Sequence, residues 1–311
     1  MSGRAQPPPR VVATGAGPAG TPEPGEGGAP RYRLVVADID GTLVTSTREI
    51  TPRVRAAVQA ARRRGVRVCL ATGRMWPSAE PYVRRLGADP PIILYNGGLV
   101  YDFATGTVLR RVPLDVDHAR AVLDVLREHP EVQPHLYVND RVYTARPSEI
   151  TDQYRRKDGI PVEVVGDLRA VLSAPPMKIL IIGARPDLER VRARIRQLPR
   201  QIHTVFSEDT YLEVLPQGSS KGAALQWMAR HLGIPLEQVV AVGDNLNDLE
   251  MIQVAGLGVA MGNAPADLKA AADVVTASND EEGLAEVIER CVLQGTGQDT
   301  APPQPGAAAG S

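Results

Sequence analysis

The chain of 311 residues is 43% hydrophobic, enough apolar material for one large core or two smaller ones. Its 35 Lys and Arg nearly balance 36 Asp and Glu, which excludes the global basic field of a nucleic-acid binder. Neither of its two cysteines, Cys69 and Cys291, sits in a CxxC, which excludes zinc-ribbon and disulfide frameworks and suits a reducing cytoplasm.

In chain order, residues 1–30 are rich in Pro, Gly and Ala and are expected to be a disordered tail without a signal-peptide apolar segment. Within them Gly15 to Gly20 reads GAGPAG, a match to the GxGxxG fingerprint of dinucleotide sites. That fingerprint needs a helix after it, and Pro22, Pro24 and their glycine neighbours forbid one. The apolar run Leu34 to Ala37 then predicts a strand buried on both faces of a parallel sheet. Side chains alternate along it, so Asp38 and Asp40 can share a direction while Ile39 turns into the core. Two adjacent carboxylates repel and suit a hard cation such as Mg²⁺ between them. Gly41 permits a sharp turn with exposed N–H groups. A solvated Asp-Gly turn would explain this stretch taken alone.

Thr51 and Pro52 form an N-cap and first turn, Val54, Ala57, Val58 and Ala61 recur at helical spacing, and Gly65 closes the helix. A second buried strand, Val66 to Ala71, ends in Thr72-Gly73-Arg74, where a hydroxyl beside a glycine can donate to phosphate or cap the next helix. A third, Pro91 to Tyr95, ends in Asn96-Gly97-Gly98. These steps imply a doubly wound parallel sheet. From Leu99 the pattern changes to polar alternation. Strands are expected at Thr107 to Val112, Gln133 to Val138, Arg141 to Tyr143, Lys178 to Ile182, His203 to Ser207 and Tyr211 to Leu215. Helices are expected over Asp115 to Glu128, from Asp167 and from Pro186. The Asn139-Asp140 turn favours antiparallel pairing and hence a separate α+β insert. The five histidines have no metal-ligand spacing.

The parallel pattern resumes at Ser219-Ser220-Lys221-Gly222, which opens a helix through Leu225, Met228 and Leu232. The helix dipole opposes a cation there, so Lys221 needs a partner such as phosphate, or solvent. Val239 to Val242 is another core strand, ending in Gly243-Asp244-Asn245-Leu246-Asn247-Asp248. In one parallel sheet all these carboxyl ends share an edge. No apolar run reaches membrane-spanning length, and residues 295–311 repeat the low-complexity character of the first tail.

DIDGT, ATGR, SSKG and GDNLND, in this order on alternating β-α units, resemble motifs one to four of the haloacid-dehalogenase superfamily. The insert between the second and third motifs, the YNGG turn and the late ADVVTASNDEEG stretch resemble its Cof-like branch with a type-two cap. The similarity spans about Arg31 to Leu293. It implies an α/β, Rossmann-like core formed by residues 31–98 and 216–294, carrying an inserted α+β cap over 99–215. It further implies a Mg²⁺-dependent phosphatase with Asp38 as nucleophile and Asp40 as general acid and base. The metal would be held by Asp38, Asp40 and Asp244, with Asp248 in support. Phosphate would be held by Ile39, Thr72, Gly73, Lys221 and Asn247. Asn96 and Arg74 are candidates for substrate selection, and Lys178 either faces the site or decorates a strand. The expected partner is a small phosphate ester, a sugar phosphate or related metabolite; no nucleic acid or membrane is implied. A phosphomutase or phosphotransferase could use the same Asp38. A non-enzymatic phosphate binder or receiver domain is the other reading, but a receiver takes its acidic residues from different strands and carries no such insert.

Overall fold

A computed structural model describes residues 30–199 and 202–294, so the expected tails, apart from Pro30, and the GAGPAG stretch lie outside the described residues. The first part of the chain runs β1 (Leu34–Ala37), α1 (Pro52–Arg63), β2 (Arg67–Leu70), α2 (Trp76–Leu86), β3 (Ile92–Leu94), β4 (Leu99–Asp102) and β5 (Thr107–Arg111). The middle holds α3 (Val116–Arg127), β6 (Gln133–Val138), β7 (Arg141–Thr144), α4 (Glu149–Asp158), β8 (Val162–Val164), β9 (Lys178–Ile182), α5 (Arg185–Arg196), β10 (His203–Glu208) and β11 (Tyr211–Leu215). The last part adds α6 (Lys221–Leu232), β12 (Val239–Gly243), α7 (Leu249–Val254), β13 (Leu257–Ala260), α8 (Ala266–Ala271), β14 (Val274–Val275) and α9 (Gly283–Val287).

The unbroken apolar run of β1 is buried at all four positions because helices cover both faces of its sheet. Val35 and Ala37 pack with Val54, Ala57 and Val58 of α1, while Leu34 and Val36 pack with Ala224, Leu225 and Met228 of α6. The sheet order is β14-β13-β12-β1-β2, every pair parallel, and a bridge from Ala71 to Ile93 carries it on to β3. Connections run one way from β1 through β2 and the other way from β12 through β14. The order therefore reverses between β1 and β12, and such a reversal opens a crevice at the carboxyl ends. Asp38 follows β1 and Asp244 follows β12, one on each side of it.

The second sheet, β10-β11-β9-β6-β7-β8, is antiparallel except for β7 with β8. Its period-two alternation separates two faces. Ile179, Ile181, Leu212 and Val214 pack under α3 and α5 with Leu123, Leu126, Leu188 and Val191. Lys178, Leu180, Tyr211 and Glu213, the alternate residues, line a cavity against the first sheet.

Three segments differ from expectation. β4 and β5, taken as the start of the insert at Leu99, pair with β3 instead of the second sheet. Leu99 and Val100 continue the two-faced burial of β3 opposite Leu94 and Ile93, so the apolar alternation keeps the chain on the first sheet. The helix expected from Asp167 is a single turn over Leu168–Val171, because Pro175 and Pro176 bar its extension. The unexpected α4 is a highly charged helix capped by Ser148 and ended by left-handed Gly159; it buries little beyond Thr151 and Tyr154 and so has almost no apolar period. No helix among the described residues is long and apolar enough to cross a membrane.

α6 and α7 approach so closely that a Cβ on Gly222 would lie 2.5 Å from the Cβ and 2.7 Å from the carbonyl carbon of Glu250. Gly222→Ala would gain up to about 1 kcal/mol of helix propensity against about 1–3 kcal/mol of overpacking. The expected result is a lower melting temperature in thermal denaturation, and an unchanged or raised one would refute the close approach.

Candidate active site

β1 ends at Ala37; Asp38 and Asp40 have extended backbone on either side of Ile39, and the chain then turns through Gly41 at a φ of +73°. A Cβ there would stand 2.2 Å from Asp244 Oδ2, so only glycine lets the first loop pass the second. The alternation expected of Asp38 and Asp40 holds: both line one cavity, and Ile39 is wholly buried in the core, leaving only its backbone to serve a phosphate. That cavity, of about 270 Å³, lies between the two sheets and is also lined by Thr72, Gly73, Arg74, Lys178, Asp244 and Asn247. Lys221, Asp248 and Asn96 are buried directly behind it.

Lys221 is 0% exposed, and its Nζ lies 2.9 Å from Asp38 Oδ1 and 2.6 Å from Asp248 Oδ1. This answers the unfavourable dipole at the start of α6: two carboxylates hold the cation there. Burial alone would lower its pKa, but the charges of Asp248 and Asp38 outweigh that and raise it. Asp248 accepts on Oδ2 from the N–H groups of Asp244 (3.0 Å) and Asn245 (3.1 Å), so both its oxygens are engaged. Asp244 Oδ1 accepts from Thr42 Oγ1 at 2.9 Å. Burial, then the Asp248 charge, pushes the Asp244 carboxyl up to about 7. Burial also raises Asp38 well above the carboxylate range, with Lys221 opposing and the other aspartates adding.

Asp38, Asp244 and Asp248 each bring a carboxylate oxygen within 4.8 Å of the others. One ammonium faces these three acids, and the raised Asp38 and Asp244 mark the shortage of positive charge. Hard oxygen donors in this arrangement fit a divalent cation of the Mg²⁺ kind. Since Asp248 already serves Lys221 and two backbone amides, Asp38 and Asp244 are the pair free to ligate and Asp248 braces them.

Arg74 grips Asp40 with both arms, Nε to Oδ2 at 2.7 Å and Nη2 to Oδ1 at 2.6 Å, and reaches Ser78 Oγ at 2.5 Å. Burial would raise the Asp40 carboxyl, but this charge-assisted fork outweighs it and holds the group below its usual range. Thr72 Oγ1 accepts from the Arg74 N–H at 3.2 Å, which leaves its own proton to donate elsewhere. Asn247 Nδ2 donates to Asn96 Oδ1 at 3.0 Å, and Asn96 Nδ2 donates to Glu213 Oε2 at 2.9 Å. Lys178 faces the site: its Nζ donates to the Gly73 carbonyl at 3.0 Å and lies 3.1 Å from Glu213 Oε2.

Sequence reasoning missed Thr42, Ser78, Glu213 and the tyrosines of the cavity wall, Tyr137, Tyr154 and Tyr211. Glu213 had a signal: in YLEVL it is a charge inside an apolar strand, in phase with the residues that turn away from α3 and α5. The histidines stay outside the site; the buried His135 is bonded locally to Thr151 Oγ1 at 3.2 Å.

Residues 35–288 match the family model of the haloacid dehalogenase-like hydrolases. The HMP-PP phosphatase of Serratia proteamaculans is 33% identical over 241 residues, covering 76% of this chain and 86% of that protein. The 5-amino-6-(5-phospho-D-ribitylamino)uracil phosphatase YcsE of Bacillus subtilis is 32% identical over 261 residues, covering 84% and 96%. A crystal structure of a haloacid dehalogenase-like hydrolase from Bacteroides thetaiotaomicron superposes with a TM-score of 0.76 at 31% identity, covering 84% of this chain and 99% of that one. Joined to a parallel core sheet, a separate antiparallel sheet and an acidic cluster at the switch point, these likenesses have one reading: the chain belongs to the haloacid dehalogenase-like hydrolases, in their Cof-like branch with a type-two cap, and is a phosphate-ester hydrolase.

Proposed function

We propose that the protein is a Mg²⁺-dependent phosphatase that hydrolyses small phosphate monoesters, sugar phosphates or related metabolites, through a phosphoryl group carried on Asp38. The observation that carries this reading is the Asp38 carboxylate itself. It stands in the switch-point crevice, with one oxygen 2.9 Å from a buried ammonium and Asp244 beside it. Such a group is positioned beside a fixed positive charge, and positioning with electrostatic stabilisation is most of what phosphoryl transfer asks of a protein.

In the first half of the reaction an Asp38 oxygen would bond to phosphorus as the bond to the ester oxygen breaks. The departing pair of electrons would take a proton from Asp40. In the second half water would attack phosphorus, Asp40 would take its proton, and the acyl-phosphate bond would release Asp38 and inorganic phosphate. Arg74 holds Asp40 ionised, the form that accepts a proton from water; in the first half one Asp40 oxygen would leave Arg74 and carry the proton that Asp40 took from water in the preceding turnover. Thr72, Gly73, Lys221, Asn247 and the Ile39 backbone would hold the phosphate. Asp38, Asp244 and the Asp40 carbonyl would hold Mg²⁺, with Asp248 behind them. When bound, the ion would neutralise charge on the phosphoryl oxygens.

We assign the core to residues 31–111 and 216–294 and the cap to 112–215, because β4 and β5 stay with β3. The cap supplies the wall of the cavity opposite Asp38 and would exclude bulk water while limiting substrates to small esters.

Excess EDTA should abolish turnover of an aryl phosphate and added Mg²⁺ should restore it; full activity in chelator would remove the metal from the reading. Asp38→Asn should fold and show no turnover above background. Asp40→Asn should retain turnover reduced by about 10²–10⁴-fold, the scale of general acid–base catalysis. Wild-type rates in Asp38→Asn, followed by phosphate release, would overturn the assignment of the nucleophile.

A further inference from the structure

We propose that Lys178, on the cap sheet, is a positioning residue for the phosphate-binding turn Thr72-Gly73-Arg74 of the core, and that Glu213 holds it to that task. This rests on the phosphatase reading above. The two side chains are 5% and 4% exposed, with Nζ and Oε2 3.1 Å apart. A buried ion pair is a poor stabiliser compared with apolar residues of the same volume, so its presence at the cavity wall calls for another role.

An ammonium has three hydrogens to give. Lys178 Nζ gives one to the Gly73 carbonyl at 3.0 Å, lies 3.1 Å from Glu213 Oε2 and stands 4.8 Å from the centroid of the Tyr137 ring. What it grips is informative. The Gly73 carbonyl and the Arg74 N–H belong to one planar peptide unit. Lys178 holds that unit by its oxygen and Thr72 Oγ1 holds it by its nitrogen, at 3.2 Å. The clamp fixes Thr72 as an acceptor toward the backbone and hence as a donor toward phosphate. It also sets the direction in which Arg74 leaves the chain to meet Asp40.

A second limb runs from Glu213 Oε2 through Asn96, which donates to it at 2.9 Å, to Asn247, which donates to Asn96 at 3.0 Å. Asn96 keeps this place with a left-handed φ of +51°. One buried pair on the cap thus touches the supports of Thr72 on one side and of Asn247 on the other. Docking of the cap and readiness of the phosphate site become one event.

Lys178→Met alone would strand the Glu213 charge, so the informative variant is Lys178→Met with Glu213→Leu; Lys178→Arg keeps the charge and the donors and serves as the rescue. With Mg²⁺ present, melting temperature, calorimetric affinity for inorganic phosphate, and kcat and KM on an aryl phosphate, a hexose phosphate and pyridoxal phosphate are compared. The double variant should still unfold cooperatively, at a moderately lower temperature because Asn96 loses its acceptor, yet bind phosphate about 10-fold more weakly. It should lose about 10- to 100-fold in kcat by the same factor on all three esters, as expected of a small misplacement of reacting groups. Lys178→Arg should regain most of the loss. Wild-type kcat and phosphate affinity in the double variant would reduce the pair to structure, and a loss confined to one ester would make Lys178 a leaving-group contact; either overturns the proposal. A wild-type protein that neither binds phosphate nor hydrolyses any ester would instead overturn the phosphatase reading beneath it.

Discussion

Lys221 carries a full positive charge into a place with no solvent, and the site is built around satisfying it. Its ammonium joins Asp38, at the end of β1, to Asp248, in the loop after β12, so a residue of α6 ties together the two strands between which the sheet order reverses. Removing the ammonium from such a buried set would leave uncompensated carboxylates at a cost of about 3–5 kcal/mol. The same arithmetic bears on the remaining acids of the cluster. Three aspartates around one ammonium leave negative charge over, and burial without further compensation raises Asp38 and Asp244. The fold thus leaves hard oxygen donors in a crevice in excess of the one ammonium beside them.

Around this centre, close backbone approach substitutes for side chains. Gly41 passes Asp244 at a distance no Cβ allows, and a Cβ on Gly97 would stand 2.1 Å from the Ser220 carbonyl just before α6. The turn that links β3 to β4 is therefore packed against the start of the helix that delivers Lys221. Tyr95 and Asn96 in that turn are both left-handed, a strained choice for residues with side chains, and such strain persists where surrounding contacts enforce it. Asn96 is enforced by Glu213 and Asn247, Tyr95 by its O–H donating to Asp140 Oδ1 at 3.0 Å.

Polar contacts between the two sheets' regions include Tyr95 with Asp140, Asn96 Nδ2 with Glu213 Oε2 at 2.9 Å, Arg48 with the Lys157 carbonyl, Asn245 Nδ2 with the Ser207 carbonyl at 2.7 Å, and Lys178 with the Gly73 carbonyl. Each joins a loop at the carboxyl edge of the first sheet to the region of the second sheet. Apolar packing joins the regions as well, since one buried cluster runs from Ala37 and Tyr95 on the first side to Tyr137, Met177 and Leu180 on the second.

Local chemistry was legible in the sequence because it depends on neighbours along the chain. Leu34 to Ala37 announces a doubly buried strand, the alternation beyond it puts Asp38 and Asp40 on one side of Ile39, and the motif after Val239 to Val242 places its carboxylates at the same edge. The conflict between Lys221 and its helix dipole left phosphate or solvent as its partner, and the structure meets it instead with the carboxylates of Asp38 and Asp248. What the sequence could not determine were partners brought together across long separations. The grip of Arg74 on Asp40 spans 34 residues, the bond of Lys178 to Gly73 spans 105 and that of Asn96 to Glu213 spans 117. Strand alternation allowed Lys178 either face of its sheet, and only the packing of α3 and α5 on the opposite face decided that it looks into the site. Likewise β4 and β5 read as the start of the insert until burial of Leu99 and Val100 against the first sheet bound them to β3. Periodicity along a chain determines which side chains share a face; which face is covered, and by what, is decided by the tertiary structure alone.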